Sequence, residues 1–123
     1  FVKDDIGYAD LAPYNVGPSE FINLIGHAQF VCTDSFHGTC FSILHHKKFF
    51  TFNRFNNTNT QSTNTRIDSL LTMAGLEDRR ININRSIDID KYLNIEVQYK
   101  DVDKKLKEKR SQSIGYLKNA ILC

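Results

Sequence analysis

The sequence has no apolar run near the roughly 20 residues a membrane-spanning helix requires, and no charged start followed by an apolar stretch. It begins at Phe1 with no initiator Met, so the expectation is a processed or excised segment of a larger protein. Net charge is small. Sixteen basic against fourteen acidic residues leave +2, which argues against a nucleic-acid footprint. Cysteine is scarce and odd in number: Cys32, Cys40 and Cys123 do not make a disulfide framework, and Cys32 and Cys40 fall in expected core elements. Reduced thiols in a cytosol are the expectation. There is no phosphate-binding Gly-x-x-x-x-Gly-Lys loop, no Gly-x-Gly-x-x-Gly, no Cys-x-x-Cys, no Gly-x-Ser-x-Gly elbow and no internal repeat, so the common nucleotide, redox and hydrolase signatures are missing.

What is there centres on residues 30–43, Phe-Val-Cys-Thr-Asp-Ser-Phe-His-Gly-Thr-Cys-Phe-Ser-Ile. A short β-branched and aromatic run suits a buried strand at about 29–33, Asp34-Ser35 stops it, and an apolar helix follows at about 38–46 with Cys40, Phe41, Ile43 and Leu44 inward. The first N–H groups of such a helix are unpaired and its dipole favours an anion. His37 stands at that turn, and a histidine exchanges protons near neutral pH, its ordinary pKa being about 6.5.

The rest is arranged around this turn. Residues 1–15 read as loop, with room for a short strand near Val16. Gly17-Pro18-Ser19-Glu20 starts a helix that turns Phe21, Ile22, Leu24, Ile25 and Ala28 inward. Lys48–Asn53, with three phenylalanines, reads as a second buried strand, so strand, helix and strand make a right-handed βαβ unit with parallel strands. Ligands of such sheets sit beyond the carboxyl ends of the strands, where the 34–37 turn and Arg54 both fall. Residues 53–65 have almost no apolar content and read as a flexible loop, a binding lid and a low-complexity insertion being equally open. A helix at about 66–74 carries Ile67, Leu70, Leu71 and Ala74 on one face and stops at Gly75. Arg66 opens that helix against its dipole, so it either turns to solvent or holds an anion. One more short strand is expected near Ile81, an irregular stretch over 84–98 with Asp88 and Asp90 as caps, and a last helix over about 100–121 with a solvated charged face.

Several pairings near His37 carry little. Ser35 with His37 lacks a nucleophile elbow; Cys40 belongs to an apolar helix; His45-His46 lies at the far end of that helix, with no thiol or carboxylate at metal-ligand spacing. By residue type and position alone, His37 is equally open to an acid–base role and to a structural one, capping the helix or sitting in the core.

The order of the residues goes further. Thr33-Asp34-Ser35-Phe36-His37-Gly38-Thr39 followed by Phe41-Ser42-Ile43, Lys47 and Phe49 resembles the polysaccharide pyruvyl transferase family. So do Gly17-Pro18-x-Glu20-Phe21-Ile22 before it, and Arg66-Ile67-x-x-Leu70-Leu71 and Gly75-Leu76-Glu77-Asp78-Arg79 after it. The resemblance covers about residues 16–80 and, loosely, the last helix. It implies a three-layer α/β/α Rossmann-like domain with a mainly parallel sheet, residues 1–123 forming one domain, the C-terminal, donor-binding half of a GT-B-like bacterial enzyme. The implied reaction moves the pyruvyl group of phosphoenolpyruvate onto two hydroxyls of a sugar or lipid-linked oligosaccharide as a cyclic ketal, in surface polysaccharide synthesis. No cofactor and no metal are implied. The partners would be a missing N-terminal domain and the acceptor, with no nucleic acid and no membrane span; the place would be the cytoplasm, at the inner face of the membrane. In better-described members the turn reads Arg-Leu-His; here Ser35 occupies the arginine place and Phe36 the leucine place, while the histidine carries over as His37, the implied general acid. The available anion holders are the Ser35 hydroxyl, the N–H groups of Gly38 and Thr39, Arg54 and Arg66. Two other readings stay open: a GT-B glycosyltransferase using a nucleotide sugar, and a non-catalytic sugar- or anion-binding module.

Overall fold

Proline at the first position and Glu20 in the first turn start helix α1 (Pro18–His27), which lays Phe21 edge-on against Phe41, ring centres 6.2 Å apart. In the computed structural model, which describes residues 9–53, 63–82 and 86–122, strand β1 (Phe30–Thr33) follows, then α2 (Phe36–Leu44) and β2 (Lys48–Phe52). Next come α3 (Thr63–Ala74), a 3-10 turn (Glu77–Arg79), β3 (Arg80–Ile81), α4 (Ile89–Asn94) and α5 (Tyr99–Leu122). The βαβ unit is present. The sheet runs β1-β2-β3, all parallel, and Thr33, Thr51 and Arg80 stand in one row across it near the carboxyl ends.

Side chains alternate across the sheet, and the two faces differ. On one, Phe49 meets Ile43 of α2, Ile67, Leu71 and Ala74 of α3, Leu76, and Val102 of α5. These form the core, each large member contributing about 1.5–3 kcal/mol through burial. On the other, Phe50 packs on Phe30 and Phe52 and meets Tyr92 of the short α4. The architecture is therefore mixed α/β around a small parallel sheet. Among the described residues, the second helical layer of the expected three-layer sandwich is represented by α4. Cys32 lies on this thinly covered face and is exposed, against the expectation of a core thiol.

The structure shifts several boundaries for identifiable reasons. α2 starts at Phe36 because Ser35 caps it, accepting a hydrogen bond from the Gly38 N–H at 3.2 Å. Helix α3 starts at Thr63, so Arg66 is its fourth residue and not its first; residues 54–62 of the expected loop lie outside the described residues. α4 appears where irregular chain was expected, capped by Asp88, whose carboxylate accepts from the Lys91 N–H at 3.2 Å. Ile89, Tyr92 and Leu93 stand at i, i+3 and i+4, but six residues are too short for that spacing to announce a helix. No strand forms near Val16. Leu24 and Leu44, expected inward, are exposed, since the stripes of α1 and α2 that find partners centre on Ile25 and Ile43. Gly75 ends α3 as expected: its φ of +69° and the bond from the Leu76 N–H to the Leu71 carbonyl at 2.8 Å make a left-handed helix stop.

Candidate active site

The turn from β1 into α2 is held by its own side chains. Thr33 Oγ1 accepts from the Ser35 N–H at 3.0 Å, the Ser35 carbonyl accepts from both the N–H and the hydroxyl of Thr39 at 2.9 Å, and the Ser42 hydroxyl donates to the Gly38 carbonyl at 2.7 Å. Thr39 Oγ1 lies 3.4 Å from Thr51 Oγ1, tying the helix to the neighbouring strand. Gly38 is required here. A Cβ on it would lie 2.5 Å from Thr33 Oγ1, so only glycine lets the helix start directly on the strand end.

These bonds also decide which groups face outward. Gly38 and Thr39, expected to hold an anion through their N–H groups, are buried, and both N–H groups are bonded to Ser35. The donors left at the helix start are therefore the N–H groups of Phe36 and His37, the first two residues of α2. Ser35 spends a lone pair on the cap and keeps its hydroxyl proton to donate.

His37 is exposed, its ring edge-on to that of Phe36 at 5.7 Å. Across the same Phe36 ring stands Arg66, its guanidinium carbon 5.2 Å from the ring centre. The fold thus sets His37 of α2 and Arg66 of α3 each against the Phe36 ring, next to the Ser35 cap. Phe36, Arg66, Leu70 and Met73 also line an open hollow of about 340 Å³. Arg54 lies outside the described residues. Phe36 was not among the expected site residues, and no sequence signal marks it apart from its place between Ser35 and His37.

The other histidines and the thiols stand elsewhere. His46 is stacked on Tyr99 at 4.6 Å, with Nε2 3.0 Å from Asp103, at the far end of α2. No group of three or more histidine, cysteine, aspartate or glutamate side chains among the described residues is placed to hold a metal. Burial pushes the Cys40 thiol up, partly offset by a backbone hydrogen bond, which makes it a poor nucleophile. Among the described residues no helix is long and apolar enough to cross a membrane.

The model of the family described as polysaccharide pyruvyl transferase matches residues 3–57, a span that holds α1, β1, α2, β2 and the Ser35–His37 turn. It is the family that the spaced residue blocks resemble. No curated protein and no solved structure matches the chain.

Proposed function

We propose that this chain carries the donor-binding part of an enzyme that transfers the pyruvyl group of phosphoenolpyruvate to two hydroxyls of a sugar. The observation that carries the reading is an exposed histidine on the first turn of α2, next to the Ser35 cap and inside the family-matched region, with its ring and the Arg66 guanidinium both against Phe36. Phosphoenolpyruvate bears a carboxylate and a phosphate. The N–H groups of Phe36 and His37, the Ser35 hydroxyl and Arg66 are suited to one of these anions, with the helix dipole adding to them.

In the reaction one acceptor hydroxyl adds to C2 of the enol while a proton goes to the methylene carbon, giving a methyl group. The second hydroxyl then replaces phosphate at C2, and its proton leaves with the phosphate. Two C–O bonds form, one breaks, and the two hydroxyl protons are accounted for. His37 is the group placed to pass a proton in this sequence, as general acid. The acceptor, a sugar or lipid-linked oligosaccharide, would be presented by a second domain across the edge, at the cytoplasmic face of the membrane.

The test is release of inorganic phosphate from phosphoenolpyruvate by the intact protein, dependent on a sugar with two suitably placed hydroxyls. Release of a nucleotide from a nucleotide sugar would instead identify a glycosyltransferase. Ligand binding with neither release would identify a binding module.

A further inference from the structure

Helix α5 has 24 residues, about 36 Å at 1.5 Å per residue, and only its start is packed. Val102 lies in the core and Leu106 against it. From Lys107 to Leu122 every residue but Gly115 is exposed, and a Cβ added at Gly115 would meet nothing within 4 Å. About four turns of helix therefore stand clear of the other described residues. Helices in water draw most of their stability from packing an amphipathic face, and this half of α5 has such a face uncovered among the described residues.

The exposed half is patterned. Lys107, Arg110, Ile114, Leu117 and Ile121 recur at spacings of three and four, with Lys118 four beyond Ile114, so all six fall within an arc of roughly 100° on the helix. Ile114, Leu117 and Ile121 are exposed by 45%, 56% and 71%. Between 104 and 118 six cations stand against one acid, Glu108, which lies off this stripe. That surplus exceeds the +2 of the whole chain, so positive charge is concentrated on this helix. Among the described residues no ion pair joins Lys107, Arg110 or Lys118 to an acid.

We propose that the second half of α5 is an interfacial helix that lays this stripe on an anionic lipid surface. Its three aliphatic side chains enter the boundary between headgroups and acyl chains, while the lysines and the arginine stay at headgroup level. Charge complementarity selects the occupant. A second copy of α5 would bring like charges to the seam: antiparallel pairing about Ile114 sets Arg110 opposite Lys118, and parallel pairing sets each cation opposite itself. Lys104, Lys105 and Lys109 lie off the stripe, so the charge surrounds the helix as a field, which suits a continuous anionic surface better than a few matched carboxylates. Because no helix among the described residues can cross a membrane, the contact is shallow and reversible. The proposal does not rest on the pyruvyl-transfer reading.

The experiment is co-sedimentation of the intact protein with vesicles at low and high salt, using phosphatidylcholine alone and phosphatidylcholine mixed in equal parts with phosphatidylglycerol. Expected is binding to the mixed vesicles that weakens with salt, and little binding to phosphatidylcholine. Lys107→Gln with Arg110→Gln should lower the affinity roughly tenfold or more, each cation near such a surface being worth about fivefold. Leu117→Gln with Ile121→Gln should lower it by a similar factor through lost apolar contact. Glu108→Gln should bind at least as tightly as wild type. All five positions are exposed, so the variants should keep the wild-type melting temperature. Absence of binding to the mixed vesicles at low salt would overturn the proposal, as would wild-type affinity in both double variants. Binding to soluble polyglutamate as strong as to the mixed vesicles, and unchanged in the Leu117/Ile121 double variant, would identify a surface for acidic protein and overturn it too. A dimer in lipid-free buffer that this double variant abolishes would show that the stripe pairs two copies, and the lipid assignment would fall.

Discussion

At the scale of single residues, His37 separates function from folding because it is exposed at the helix start and makes no contact the core depends on. His37→Gln should leave the melting temperature and donor affinity close to wild type and lower acceptor-dependent phosphate release by about 10²–10⁴-fold. Near-normal turnover in that variant would remove the acid role. Arg66→Ala should act differently, weakening donor binding by about 1.5–3 kcal/mol, as loss of a charged hydrogen bond does. Calorimetric titration with phosphoenolpyruvate checks this, and unchanged affinity would mean that Arg66 merely covers the Phe36 ring. His37 and Arg66 were both legible as candidates, one from its place at a strand-to-helix turn, the other from its charge at a helix start. Their meeting across Phe36 was not, since 29 positions of chain separate 37 from 66.

At the scale of elements, the β1–α2 junction works as a unit. Ser35→Ala removes the cap and should cost about 1 kcal/mol. Gly38→Ala should cost about 1–3 kcal/mol, because the added methyl overpacks against Thr33. It should also lower turnover beyond what its stability loss explains, by lifting the first turn and the His37 N–H off the strand end. Paired denaturation and activity measurements on the two variants test this, and equal effects on activity would argue against a positional role for Gly38. The start of α5 is joined to the other end of the sheet by Tyr99, whose hydroxyl donates to the Lys47 carbonyl. Burial pushes the Tyr99 phenol well above its ordinary value, Arg79 opposing and Asp103 adding to the shift. A phenol raised on folding stays protonated in the native state while the unfolded one ionises near its ordinary pKa of about 10. The unfolded state then binds fewer protons, so stability should fall as pH rises above that value. Tyr99→Phe should flatten this alkaline decline while losing about 0.5–1.5 kcal/mol at neutral pH. Denaturant melts across pH 8–11 would show it, and an unchanged slope in the variant would place the titration elsewhere.

At the scale of the whole molecule, α2, α3 and α5 cover one face of the sheet in a continuous core, Phe50 is buried on the other, and Ile114, Leu117 and Ile121 of α5 are exposed. The expected outcome for residues 1–123 expressed alone is cooperative unfolding, because that core is complete on the helical face. Phosphate release with any sugar should remain at background. Holding acceptor and donor together is worth up to about 7–11 kcal/mol of barrier, and the proposed reaction draws the acceptor from across the edge. Robust acceptor-dependent release by residues 1–123 would show that both substrates are held within this chain.

The sequence by itself determined the order of elements from α1 to α3, because apolar period, Pro18, Ser35 and Gly75 act within a few residues of chain and need no partner to be read. It also determined the family resemblance, which is a matter of residues in order. Only the tertiary structure decided which N–H groups stay open at α2, since that depends on where the Ser35 side chain turns. It alone placed Arg66 over the Phe36 ring and Arg80 in one row with Thr33, because strand register and helix packing set distances between residues far apart in the chain. Short α4 was hidden for a related reason. A six-residue helix is less than two turns, too short for its apolar spacing to stand out, and its place comes from the Asp88 cap and the contact of Tyr92 with Phe50.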